Sequence, residues 1–107
     1  MRRPNVQILF FQGCPHHEQA HELVEQVARE LGMQPEIALV EVPDGETAAE
    51  LRFLGSPTIR VDGRDVEPGA GERQEFALSC RVYQSEHGLA GHPDAQWIRD
   101  ALTMAGT

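Results

Sequence analysis

The 107-residue chain contains no lysine; all nine of its basic residues are arginine. A lysine Schiff base and a lysine-dependent phosphate loop are therefore excluded. Seventeen acidic residues outnumber the arginines and set a net charge of -8. With no basic excess to neutralise phosphates, nucleic acid is not an expected partner. Cysteine is scarce too. Cys14 and Cys80 are the only two, too few for a disulfide-stapled secreted scaffold, so a reducing cytoplasm is the expected setting. Long apolar runs are missing, and nothing approaches the roughly 18 residues of a membrane span. The opening "MRRPNVQILFFQGC" has the outline of a lipoprotein signal. Its apolar run, however, falls short of the about 7–15 residues of a signal core, and Pro15 after the cysteine suits a helix start, so the segment is read as part of the fold.

What is present reads as an ordinary globular protein, with 40% hydrophobic and 24% charged residues, long enough for one domain over 1–107 with a modest core. "NVQILFF" (5–11) is a short apolar run suited to a strand buried on both faces. After Gly13, the positions Ala20, Leu23, Val24, Val27, Ala28 and Leu31 repeat with the 3.6-residue period of a helix, and Gly32 stands where a C-terminal cap belongs. "PEIALVEV" (35–42) predicts a second strand. Residues 43–55 predict a short helix with Asp44 as its cap and Gly55 as its stop. "SPTIRVDGRDVEP" (56–68) reads as a hairpin: Ile59 and Val61 alternate with polar residues, Asp-Gly makes the turn, Val66 returns, and Pro68 ends the return strand. Residues 69–92 carry several glycines and little periodicity beyond "FALSCRVY", as a long loop would. "HPDAQWIRDALTMA" (92–105) predicts a last helix opening at Pro93, with Trp97, Ile98, Ala101, Leu102 and Ala105 on its buried side. The expected fold is α/β in the order β-α-β-α-β-β-α, a central mixed sheet flanked by helices.

The residues that point to chemistry start with Cys14. It stands where the first strand gives way to the first helix. Unpaired N–H groups and the positive dipole end at a helix start stabilise a thiolate and draw its pKa down from about 8.5. Pro15 presets the first turn, and a protonated His17 would favour the thiolate further. The competing reading is a small buried apolar residue. Cys80 in "SCRVY" is the one internal partner, beside Arg81, and pairing requires Cα atoms within about 7 Å. Otherwise an external thiol such as glutathione completes the cycle. Cys14, His17 and His21 form C-x2-H-x3-H, a sparse set for zinc or a softer metal, with His16, His87 and His92 as further imidazoles. Trp97 and Phe76 read as core or loop anchors, and Tyr83 as packing near Cys80, with a hydrogen bond donated there as the alternative. Glu18, Glu22 and Glu25 read as a solvated helix face. Asp65 and Glu67, at the hairpin end, suggest nothing specific.

"FFQGCP" resembles the strand–cysteine–proline–helix site of thioredoxin-like proteins. "GSPTIRVDGRDV" is similar to the segment in which they carry a cis-proline facing the cysteine. The combination "GCP…RFLGSPTIRVDGRDVEPGA…LSCRVY…GLAGHP" is similar, over nearly the whole chain, to a group of small bacterial thioredoxin-like proteins, some described as alkylmercury-lyase-like. The resemblance implies a thioredoxin-like fold, thiol–disulfide or thiol-transfer chemistry and no cofactor. It casts Cys14 as nucleophile, Cys80 as resolving thiol and Pro57 as the proline shaping the groove. Pro15, Ser56 and Arg81 would lie on the substrate side, with the Ser56 backbone pairing to a thiol- or disulfide-bearing protein or a small thiol. His17 stands where the family's second cysteine would be. That departure keeps two alternatives open: a non-catalytic binding module on the same fold, or a Zn- or Hg-type soft-metal site built from Cys14 with Cys80 or with His17 and His21.

Overall fold

A computed structural model of the chain describes residues 3–105. The apolar run at the start forms strand β1 (Asn5–Phe10), and its alternation explains its central place. Val6 and Ile8 point to one face and Leu9 to the other, and all three are buried. β1 pairs in parallel with β2 (Glu36–Glu41), in register from Asn5 opposite Glu36 to Phe10 opposite Glu41. On its other side it pairs antiparallel with β3 (Thr58–Val61), Leu9 lying opposite Thr58. Strand β4 (Arg64–Asp65) completes a mixed sheet of order β2-β1-β3-β4. The β3–β4 connection is the expected two-residue turn. Asp62 and Gly63 both take positive φ, +50° and +84°, the conformation that matches the twist of a tight hairpin.

Helices cover both faces. α1 (His17–Glu30) carries Ala20, Val24, Val27 and Ala28 onto Val6, Ile8, Ile59 and Val61, and α3 (Ala95–Ala105) adds Ile98 and Leu102 to the same cluster. On the opposite face Leu9 packs with Val42, Ala48 and Phe53, around α2 (Gly45–Glu50). The radius of gyration, 13.0 Å, is that of one domain of about this length. β2 forms an edge of the sheet, with Leu39 51% exposed.

The helix ends differ from expectation in informative ways. α1 stops as its sequence suggests: Gly32 takes φ +68°, its N–H bonds to Arg29, and the next N–H, of Met33, bonds to Ala28. This is a Schellman cap. α2 ends five residues before Gly55, through the same pair of bonds, Arg52 to Ala49 and Phe53 to Ala48. Here the left-handed position is filled by Arg52, at φ +56°. Phe53, fully buried beyond it, supplies the apolar contact that stops the helix. α3 begins at Ala95 rather than Pro93, because the Asp94 carboxylate accepts the Gln96 N–H. Between β4 and α3 the expected loop holds a 3-10 turn (Ala70–Glu72) and a hairpin of β5 (Tyr83–Ser85) with β6 (Gly88–Ala90). That hairpin lacks an apolar alternation, since Val82 and Leu89 face solvent and only Tyr83 is buried.

A left-handed residue with a Cβ costs roughly 1–2 kcal/mol. Arg52→Gly is therefore expected to exceed Arg52→Ala in stability by about 1 kcal/mol in urea unfolding, reversing the usual helix order of the two residues.

Candidate functional site

The turn after β1 is built around Gly13. With φ +90° it sits third in a four-residue turn closed by the Cys14 N–H donating to the Phe11 carbonyl at 3.2 Å. Cys14 is then 4% exposed. It does not lie in the first helical turn, as expected, because α1 starts at His17 with His16 as its N-cap, and Pro15 precedes that cap. The dipole effect is confined to the end turn of a helix, so the placement weakens that source of thiolate stabilisation. His17 is tied to the Cys14 backbone. Its Nδ1 donates to the Cys14 carbonyl at 3.0 Å, and its ring stacks on Phe10 with centroids 4.4 Å apart.

Opposite the end of β1, the Ser56–Pro57 bond is cis, the isomer the resemblance implied. Leu9 faces Thr58, so Pro57 and Ser56 follow at the sheet end where the Cys14 turn begins. A segment of the chain's own occupies this place. The Ser56 N–H donates to the Ser79 carbonyl at 2.8 Å and the Ser56 carbonyl accepts the Arg81 N–H at 2.9 Å, which bridges Ser56 to Cys80. The Ser56 backbone was expected to receive a partner; both its groups are filled from within. Gly55 permits the contact. At φ +126°, a Cβ there would meet the Arg81 Cβ at 2.9 Å and the Ser79 carbonyl at 3.0 Å.

Arg81 was expected on the substrate side, and instead it fastens this segment. It is 3% exposed. Its Nη1 donates to Thr58 Oγ1 at 3.0 Å and Asp65 Oδ2 at 2.7 Å, and its Nη2 to Asp65 Oδ1 at 3.2 Å and Glu67 Oε1 at 2.6 Å. The guanidinium lies 4.4 Å from the centroid of the Tyr83 ring. Burial pulls the Arg81 pKa down, but Tyr83, Asp65 and Glu67 outweigh it and the net shift is upward. Burial raises the Tyr83 pKa, so its hydroxyl stays a donor and gives a 2.6 Å hydrogen bond to the Pro57 carbonyl. Thr58 in turn donates to the Gly55 carbonyl at 2.6 Å. Ser56 Oγ and Arg81 Nε are buried without a hydrogen-bond partner among the described residues.

Both cysteines are free thiols, Cys14 buried and Cys80 exposed, at the same end of the sheet. The histidines do not converge with them. His16 bonds Gln19 and lies so close to Gly91 that a Cβ there would fall 2.6 Å from its ring. His21 faces Glu25 at 3.5 Å, His87 faces Asp94 at 3.7 Å, and His92 bonds the Pro93 carbonyl. Among the described residues no three His, Cys, Asp or Glu side chains are grouped to hold a metal ion. In the C-x2-H-x3-H set, His17 Nδ1 is taken by the Cys14 carbonyl and His21 faces Glu25. Asp65, Glu67 and Thr58 belong to the site without having been expected there, and the Tyr83 hydroxyl, expected mainly as packing, donates to Pro57. The carboxylates two residues apart at 65 and 67, on one side of an extended chain, were the available signal. No helix among the described residues is long and apolar enough to cross a membrane. The sequence matches no protein-family model and no curated protein.

Removing one partner of a buried ion pair strands the others. Arg81→Met should lower the unfolding free energy by about 3–5 kcal/mol, measured in urea. Gly55→Ala should act more locally, with the amides of Ser56 and Arg81 exchanging with deuterium faster than in the wild type while those of β1 keep their protection.

Proposed function

We propose that the chain is a thioredoxin-like thiol protein that exchanges disulfides through Cys14 and Cys80. The observation that carries this reading is the meeting of two features at one sheet end. A free cysteine closes the turn from β1 to α1, and a second, exposed cysteine rides on the segment hydrogen-bonded to Ser56, beside Pro57. A parallel β-α-β start, an antiparallel β3–β4 hairpin and a closing helix support the fold assignment.

Exposure sets the order of events, and it reverses the roles implied by the resemblance. The Cys80 thiolate, open to solvent, attacks one sulfur of a small or protein disulfide R–S–S–R′. A Cys80–S–S–R bond forms and R′–S⁻ leaves, taking up the proton that Cys80 gave to solvent. The buried Cys14 then loses its proton and attacks the Cys80 sulfur. The Cys14–Cys80 disulfide forms, and R–S⁻ leaves and is protonated. The substrate disulfide gains two electrons and the protein dithiol loses them; a glutathione-class thiol returns the protein to the dithiol. No metal or cofactor takes part, and a reducing cytoplasm suits such a cycle.

A second reading has its own support. Cys14 is 4% exposed and the Ser56 backbone is already filled. Both features suit a non-catalytic module in which Cys14 is simply a small apolar residue. Intact-mass analysis after treatment with glutathione disulfide separates the two. The exchange reading expects the wild type to lose two hydrogens and carry no adduct, while Cys14→Ser retains one glutathione on Cys80. A wild type that keeps glutathione on Cys80 with Cys14 still a free thiol would leave only the non-catalytic module.

A further inference from the structure

Away from the two thiols, the end of α2, strands β3 and β4 and the 3-10 turn enclose a cavity of ≈ 490 Å³, within the size range of small-molecule sites. Its wall holds Arg52, Arg60, Arg64 and Arg73, four of the nine arginines in a chain of net charge -8. Asp65 and Glu67 also stand in this wall, and both carboxylates are already engaged. Arg81 holds Asp65 and Glu67, and Arg73 pairs with Glu67 at 3.1 Å and Glu75 at 2.6 Å. Among the described residues Arg52, Arg60 and Arg64 have no carboxylate within ion-pair distance.

Arg60 is the most exacting of the three. It is half-buried, and its Nη2 donates to the carbonyls of Leu51 at 2.6 Å and Arg52 at 3.0 Å. Its Nε and Nη1 have no acceptor among the described residues. Burial draws its pKa down; Asp65 opposes this, and Arg81 and Arg52 add to it. The cation therefore sits beside other cations, partly out of water, with donors to spare. Arg52 lies over the Phe76 ring, 5.1 Å from its centroid, and Leu54 and Val66 line the same space. A guanidinium fork matches the paired oxygens of a phosphoryl or carboxylate group.

We propose that this cavity binds a small organic anion, its oxyanion head on Arg60 and Arg52 and its apolar body against Leu54 and Phe76. The site is separate from the thiol chemistry and does not depend on it. The test is an amide-shift NMR titration of the full chain at constant ionic strength with phenyl phosphate, phenylacetate and inorganic phosphate. At least one phenyl probe should bind saturably, and the tighter of the two identifies the head group as phosphoryl or carboxylate. Inorganic phosphate should bind about tenfold more weakly or worse, because it lacks the apolar body. Arg52→Gln, at an exposed position, and Arg60→Gln should each weaken binding by about tenfold or more. The proposal is overturned if neither phenyl probe saturates, if inorganic phosphate binds as tightly as phenyl phosphate, or if Arg52→Gln binds like the wild type.

Discussion

The Arg81 guanidinium among Thr58, Asp65 and Glu67 is the interaction on which the rest of the site depends. Taking that charge from water to 3% exposure carries a desolvation cost of several kcal/mol, offset only where the hydrogen-bonding geometry is good. Here two carboxylates and a hydroxyl receive both terminal nitrogens. Apart from Tyr83, apolar packing does not hold this segment. Cys80 and Val82 face solvent, and Leu78 is 38% exposed. The core on the α2 side is small, built on Leu9, Val42, Ala48 and Phe53. A polar network thus fastens residues 79–83 to residues 55–58 where burial alone would leave them loose. Tyr83 extends the fastening, lying against the guanidinium and bonding the Pro57 carbonyl.

That fastening gives the two thiols their contrast. Cys80 lies between Ser79 and Arg81, both hydrogen-bonded to Ser56, so its backbone is held while its side chain stays open. Cys14 sits in a turn held by its own N–H to Phe11 and by His17 against its carbonyl. His17 thus acts on the Cys14 turn through the backbone and through its stack on Phe10.

The elements legible in the sequence were those whose signal is local. The short apolar run of β1, the 3.6-residue stripe of α1 and the Asp62-Gly63 turn are each written in neighbouring residues, and each formed. Gly32 ends α1 as expected. The stop of α2 was hidden because a buried Phe53 drives Arg52 into a conformation for which glycine is the usual sign. The hairpin of β5 and β6 was hidden because only Tyr83 of its residues is buried. The role of Arg81 depends on Asp65 and Glu67, fourteen or more residues away along the chain, a separation that no periodicity records. The placement of Cys14 next to a helix was legible, but its exclusion from the first turn was decided by where His16 caps α1.

Strand β2 illustrates how the acidic composition shapes association. It leaves six residues along an unpaired sheet edge, with half-exposed Leu39 in the middle and Glu36 and Glu41 at the two ends. If two copies joined these edges antiparallel in full overlap, each Glu36 would face the other copy's Glu41. Like charges directly opposite destabilise a strand pair, so the symmetric sheet extension that an apolar edge invites is opposed at both ends of the seam.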